Sequence, residues 1–470
     1  MSNNLSPKER LAIDRQSMPA LDPEVRSANF GEVNLGLPFE QAVLEAKRCL
    51  QCKSRPCVNG CPVGVSIPEF IDALAAEDLP EAARILKGDT ALPAVCGRVC
   101  PQETQCEEIC VRAAKGHSVA IGNLERFVAD WAMANAEKLA ALPRPQATGK
   151  QVAVVGAGPA GLTAAGELAK AGHGVTIFEA LHDTGGVLRY GIPEFRLPKA
   201  IIDAEISALQ ALGVKIECNH IIGRTLTLGE LREEFDAVFV GNGAGLPAML
   251  NLEGENLKGV YSANEYLTRV NLMGAGRSEA STTPILKGEN VAIIGAGNTA
   301  MDCVRTAKRL GAKRAMIVYR RSEQEMPARL EEIHHAKEEG IEFVMLTSPL
   351  KILASEAGWV RGMVCQKMRL GEPDASGRRK PEPVEDETFE LPADVVINAL
   401  GTRPNPLLTA TEPELKLNRR GNIEADEKSC ATSLPGVFAG GDIVRGGATV
   451  ILAMGDGKAA AGAIDEYLKG

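Results

Sequence analysis

Eight of the twelve cysteines lie between positions 49 and 110, in two groups. The first is Cys49-x2-Cys52-x4-Cys57-x3-Cys61-Pro62 and the second is Cys96-x3-Cys100-Pro101-x4-Cys106-x3-Cys110. Thiolates at such short spacings let one loop wrap an iron–sulfur cubane, and a proline directly after a cysteine is a feature of ferredoxin-type runs. Structural zinc is the competing chemistry. Four-thiolate zinc sites pair CxxC knuckles, and only Cys49/Cys52 has that spacing. Eight thiolates match two four-ligand clusters, but spacing alone does not divide them, because adjacent runs share ligands. Cys218, Cys303, Cys365 and Cys430 are isolated and are expected to be inert core thiols. His173 and the pair His334–His335 match no metal-ligand spacing.

Two glycine turns carry a second chemistry. Gly156-x-Gly158-x-x-Gly161 follows the apolar run VAVV, and Glu179 ends the next strand 23 residues after Gly156. Glycines there allow a tight turn and close approach of a pyrophosphate to a helix N-terminus, and the acid suits a free ribose 2′-hydroxyl, so FAD or NAD fits. The second turn is Gly295-x-Gly297-Asn298-x-Ala300, 139 residues further on (Gly156 to Gly295). Its second strand ends in Arg320-Arg321 instead of an acid. Guanidinium groups bind a 2′-phosphate that a carboxylate would repel, so NADPH is expected over NADH, with one arginine left in solvent as the alternative. Arg329 is expected to be an exposed helix residue, with a further contact to the nucleotide as the alternative. Near the C-terminus, Gly440-Gly441-Asp442 follows a strand. Asp442 is placed to accept from a flavin ribityl hydroxyl, and Thr449 opens a helix whose N-terminus favours charge on a reduced flavin.

These groups need elements to hold them. Residues 1–148 show helical periodicity at 68–88 and 121–142 without a convincing strand, which predicts a small helical domain. A Pro/Gly-containing linker follows at 143–150. The two βαβ units then predict an α/β fold with an FAD domain at 149–255 and 396–470 and an NADPH domain at 256–395. The charge of −9 argues against a nucleic-acid binder, which shows a basic face. No apolar run reaches the roughly 18 residues of a membrane span. The N-terminal MSNNLSPKERLAIDRQ has no apolar leader region, so a cytoplasmic protein is expected.

The segments RCLQCKSRPCVNGCPVGVSIPEF (48–70), CGRVCPQETQCEEIC (96–110), IGNLERF (121–127), GGVLRYGIPEFRLPK (185–199), IVYRRSEQEMPAR (317–329) and FAGGDIVRGG (438–447) together resemble the glutamate synthase small (beta) subunit family. That family includes the large subunit of NADH-dependent reduced ferredoxin:NADP oxidoreductase, and dihydropyrimidine dehydrogenase is a more distant relative. The resemblance implies a disulfide-reductase-like flavoprotein fold behind a helical iron–sulfur domain. It also implies two 4Fe-4S clusters with interleaved ligands: Cys49, Cys52, Cys57 and Cys110 for one, Cys61, Cys100, Cys106 and Glu125 for the other. Cys96 is then a spare thiol. Gly186 is expected to pack beside the FAD. Arg196 is expected near the flavin or a cluster, with a surface salt bridge as the alternative.

The implied chemistry is electron transfer among NADP(H), FAD and two clusters toward a partner subunit in a hetero-oligomer. Two settings compete. One partner is a small flavoprotein with a 2Fe-2S centre, in a bifurcating transhydrogenase. The other is a glutamate synthase large subunit, which must bring the glutaminase and FMN sites that this chain lacks. The segments RCLQCK, VAIGNLERFVADW and YGIPEFRLPK favour the first. A thioredoxin-reductase-type enzyme needs a CxxC in the nicotinamide domain, where Cys303 stands alone. A non-catalytic zinc scaffold is disfavoured by two intact nucleotide turns.

Overall fold

The computed structural model describes residues 5–139, 145–374 and 377–470. Residues 1–4, the last three of the predicted 121–142 helix, and 143–144 of the expected linker lie outside the described residues. Up to residue 139 the described chain is helical, with no strand beyond a single bridge between Ala20 and Asn34. The 68–88 periodicity resolves into two helices, Ile67–Ala75 and Leu79–Asp89. Glu77 breaks them apart at φ +64°, and Asp78 restarts the chain by accepting from the Glu81 amide at 3.1 Å. Each helix carries a proline in its first turn, where a missing N–H costs nothing. Phe70, Ile71, Leu74 and Leu86 are buried in one cluster with Leu124 and Val128 of the helix Ile121–Ala134.

The rest of the chain builds two parallel five-stranded sheets of the same design. The first runs in the order Val437–Ala439, Ala237–Val240, Gln151–Val155, Gly174–Phe178, Lys215–Glu217. The second runs Val260–Ser262, Val395–Asn398, Asn290–Ile294, Arg314–Val318, Glu342–Val344. In each, the strand feeding a glycine turn is central, and apart from its first residue it is buried, as a sheet covered on both faces requires. Ligands of such sheets bind beyond the carboxyl ends of the strands, where strand order reverses. The expected return to the first domain at residue 396 is corrected. Val395–Asn398 pairs with the second sheet, so the chain crosses back after 398.

A third sheet was not legible in the sequence. Thr347–Ala354, Val360–Pro373 and Arg379–Pro392 form an antiparallel meander whose last two strands make a long hairpin. The helical domain does not stand alone. Val95, Leu124 and Phe70 belong to one continuous core with Leu162, Leu209 and Met454 of the first sheet's layer. Among the described residues no helix is long and apolar enough to cross a membrane.

Candidate functional site

At the end of Gln151–Val155, Gly156 takes φ +102°, a conformation that side chains rarely adopt. The helix Pro159–Lys170 starts at once, with Gly158 as its extended N-cap and no side-chain cap. A Cβ on Gly161 would lie 1.9 Å from the Gly156 carbonyl oxygen, so helix and strand meet backbone to backbone. A Cβ on Gly158 would meet no protein atom within 4 Å, and that open space at a helix N-terminus is what a pyrophosphate needs. Glu179 sits where the second strand ends. Its carboxylate accepts from the Ala157 amide at 2.7 Å and the Leu181 amide at 2.9 Å, while burial raises its pKa. Gly186 lies against Gly158, its would-be Cβ 2.9 Å from the Gly158 Cα.

The last strand of this sheet delivers Gly441, whose amide donates to Asp456 at 2.8 Å. Asp442 follows. Burial, then the charge of Asp456, pushes its pKa up to about 6 although Ala448 donates to it. Thr449 caps the final helix Val450–Lys469, its hydroxyl accepting from the Leu452 amide at 3.3 Å. That helix crosses Pro159–Lys170 so closely that a Cβ on Gly457 would sit 2.2 Å from the Ala160 carbonyl oxygen. Sequence reasoning missed Tyr190. Burial raises its phenol to about 12, and the charges of Asp442 and Glu179 add to the shift, which places it near both carboxylates.

The second turn repeats the first. Gly295 takes φ +128°, and Gly297 is the N-cap of the helix Asn298–Arg309, with Ala300 fully buried. Arg320 and Arg321 follow the strand Arg314–Val318, as expected, but they differ. Arg320 is exposed. Arg321 is buried, donating to the Arg379 carbonyl and to the Asp374 carboxylate, both at 2.8 Å. Arg329 corrects the expectation of an exposed residue. It is the N-cap of the helix Leu330–Glu338, and its guanidinium donates to the Arg98 carbonyl at 2.8 Å and to Gln102 Oε1 at 2.7 Å. Its amide donates to Asn298 Oδ1 at 2.9 Å, so one residue joins the second glycine turn to the cysteine loop.

Arg196 is not on the surface either. It pairs with Asp302 at 2.8 Å and Glu332 at 3.2 Å, both on helices of the second nucleotide unit. Its neighbour Phe195 lies under Arg305 and Arg309, whose guanidinium carbons are 4.7 and 3.9 Å from the ring centre. The Phe195 carbonyl accepts from the Val33 amide at 2.9 Å. The segment GIPEFRLPK is therefore the bolt where all three parts of the chain meet. Asp302, Glu332 and Glu339 are unremarkable helix acids in the sequence, and only their shared burial exposes this role.

The cysteines gather into two sets. Cys49, Cys52, Cys57 and Cys110 line one cavity, walled by Ile67, Ile71, Val119 and Ile121. Burial pushes Cys49 up to about 12 and Cys57 to about 11, and the neighbouring thiols add to both shifts. Such mutual repulsion disfavours bare thiolates and suits a cationic iron core between them. Cys61, Cys100, Cys106 and Glu125 form the second set, each close enough for its charge to act on another. Cys96 joins them, fully buried, its thiol pKa raised by the neighbouring Cys100 and by burial, so the expected spare thiol lies at the site. The helices carrying Cys96 and Glu125 touch at Gly97, where a Cβ would be 2.5 Å from the Arg126 amide. Burial, then the charge of Glu205, raises Glu125 to about 8. Among the described residues no three His, Cys, Asp or Glu side chains converge tightly enough for a single metal ion. Two groups of thiols, one joined by a carboxylate, are the donor chemistry of iron–sulfur clusters.

Of the isolated thiols, Cys303, Cys365 and Cys430 are buried as expected, but Cys218 is partly exposed. His173 is held by Thr148 at 2.8 Å and Asp465 at 3.1 Å, a structural role.

Residues 26–137 match the family described as dihydropyrimidine dehydrogenase domain II, 4Fe-4S cluster, and residues 150–457 match pyridine nucleotide-disulphide oxidoreductase. The chain is 41% identical to the NADP(+)-dependent formate dehydrogenase subunit beta of Moorella thermoacetica over 88% of its own length, spanning 60% of that longer protein. It is 36% identical to the glutamate synthase [NADPH] small chain of Escherichia coli (strain K12), covering 97% of this chain and 98% of that one. In three dimensions 68% of it superposes on 85% of Mycobacterium tuberculosis FprA in complex with NADPH, at TM-score 0.57 and 22% identity, which shares the fold. The helical cysteine domain and the paired nucleotide sheets thus make an NADPH-dependent flavoprotein oxidoreductase that binds FAD, NADP(H) and 4Fe-4S iron. The chain belongs to the glutamate synthase small-chain family.

Proposed function

We propose that this chain is the NADP(H)-side electron-transfer subunit of a larger redox enzyme. It would hold FAD on the Gly156–Gly161 turn, NADP(H) on the Gly295–Ala300 turn and two 4Fe-4S clusters in the cysteine domain. When bound, FAD exchanges a hydride with NADP(H) and the clusters carry single electrons. The carrying observation is the order of the two cysteine sets. The second set, buried apart from the half-buried Cys61, touches the flavin-side helix: Cys96 Sγ is 3.5 Å from Met454 Sδ, and a Cβ on Gly455 would lie 3.0 Å from the Pro62 carbonyl oxygen. Lys458 fastens the same loop, donating to the Val63 carbonyl at 2.8 Å. The other set lies in a partly exposed cavity, where a partner can approach. Asp442 and Thr449 would orient the flavin, and the glycines would keep side chains away from its pyrophosphate.

We favour the bifurcating transhydrogenase setting on the segments RCLQCK, VAIGNLERFVADW and YGIPEFRLPK. Its partner is a small flavoprotein with a 2Fe-2S centre. The second reading, the glutamate synthase beta subunit, is favoured by near-complete coverage of the small chains of E. coli and Azospirillum brasilense. A dense set of cluster ligands with a few isolated thiols suits a reducing cytoplasm. Anaerobic purification of the native complex and identification of the co-purifying chain separates the two settings. A subunit with glutaminase and FMN domains assigns the second, and a small 2Fe-2S flavoprotein the first.

Two substitutions test the site assignments. Arg320→Ala with Arg321→Ala is expected to weaken NADPH binding by about a hundredfold and NADH by less than about threefold, since each lost charge-assisted bond is worth roughly 1.5–3 kcal/mol. Equal losses would remove the 2′-phosphate argument. For the buried set we assign Glu125, not Cys96, as the fourth ligand. Glu125→Ala should change one cluster's EPR signal while Cys96→Ala leaves both signals in place; the reverse pattern assigns Cys96.

A further inference from the structure

The long hairpin ends against the proposed 2′-phosphate site. Its sheet is stitched to the strand end that carries the two arginines: the Thr347 amide donates to the Tyr319 carbonyl at 2.9 Å, and the Leu346 amide to the Arg321 carbonyl at 3.1 Å. Met368 of the hairpin donates in turn to the Leu346 carbonyl at 2.7 Å. This anchoring brings Asp374, next after the strand Val360–Pro373, onto Arg321 at 2.8 Å. Across the same end Arg379 lends Arg321 its carbonyl, while its own side chain pairs with Glu325 at 2.9 Å. Arg321 is 6% exposed, whereas the Asp374 side chain is 32% exposed. The guanidinium is therefore fixed in the protein and the carboxylate faces outward.

A guanidinium fork binds carboxylate and phosphate oxygens by the same planar geometry. Asp374 thus presents to Arg321 the chemistry that a ribose 2′-phosphate would present. Two anions cannot share one fork at close range without strong repulsion. We propose that Asp374 is a built-in competitor for the nucleotide's 2′-phosphate and sets the strength of NADP(H) binding by occupying Arg321 until the phosphate displaces it. The proposal rests on the assignment of NADP(H) to the second turn. Arg320, exposed beside it, is the first contact of the incoming phosphate, and Arg321 the second.

The hairpin end also uses Asp374 structurally, since its Oδ1 accepts from the Arg378 amide at 3.3 Å. Asp374→Asn keeps that acceptor and removes the charge, so it is the variant of choice, with Asp374→Ala beside it. The probes are 2′,5′-ADP and 5′-AMP, titrated into the full chain by calorimetry, with thermal melts to confirm equal folding. Wild type should prefer 2′,5′-ADP. Asp374→Asn should bind 2′,5′-ADP about tenfold more tightly, the effect of removing one competing charge-assisted pair, with 5′-AMP unchanged. A parallel gain in both variants supports displacement. Unchanged or weaker 2′,5′-ADP binding in a normally folded Asp374→Asn overturns it and makes Asp374 an anchor of the hairpin only. If wild type itself binds both probes equally, the NADP(H) assignment fails and takes the proposal with it.

Discussion

Gly161→Ala is expected to yield protein with less than about a tenth of the wild-type flavin and a fold weakened by about 3 kcal/mol, the upper range for overpacking. The new methyl would lie 1.9 Å from the Gly156 carbonyl oxygen and 3.1 Å from Val154 Cγ1. The nearest obstacle is backbone in a turn already held by the Glu179 carboxylate, so no side-chain rotation relieves it. The helix Pro159–Lys170 must move off the sheet, and the final helix packed on it through Gly457 must follow. Gly158→Ala is the matching control. Its methyl meets no protein atom within 4 Å, so the apoprotein should melt like wild type. FAD affinity should still fall, because the space filled is the ligand's. Flavin absorbance per chain and apoprotein melting temperature separate the two effects. Full flavin content in Gly161→Ala would show that this turn does not bind it.

Glu339→Ala is expected to cost about 3–5 kcal/mol, the range for stripping the partner from buried charges. One fully buried carboxylate receives Arg26 at 3.1 Å, Arg305 at 2.7 and 3.0 Å, and Arg309 at 2.7 and 3.0 Å. Arg26 comes from the cysteine domain, so the loss should also loosen that domain from the second nucleotide unit. Chemical denaturation measures the first effect, and protease sensitivity near Arg26 the second. Against the upward push of burial, Arg309 and Arg305 hold the Glu339 pKa down at about 2 from 4.5. A folded-state pKa below the unfolded one contributes stability that is whole above pH 4.5 and is lost as pH falls toward 2. Wild type should therefore lose its advantage over Glu339→Ala across that acid range. A constant difference down to pH 2 would mean that Glu339 is held by packing and not by charge.

The local chemistry was legible from neighbouring residues alone. Each glycine turn is a strand, a turn and a helix contiguous in the chain, so the physical constraints that build it act within about 30 residues. The same holds for Glu179, for the Arg320–Arg321 pair and for the cysteine runs. The helical character of residues 5–139 was legible from the apolar periodicity at 68–88 and 121–142. The contacts that were not legible join residues far apart in the chain. Arg196, expected at the surface or beside a cofactor, is buried between Asp302 and Glu332, 106 residues and more away. Arg329 was expected in solvent and instead donates to Arg98 and Gln102, on either side of Cys100. Cys96 joins the buried thiol set because Gly97 lets two helices touch. Asp374 reaches Arg321 only because a hairpin folds back across 53 residues. A charged residue's sequence neighbours say where its helix runs, but its burial and its partner are set by whichever distant element packs over it.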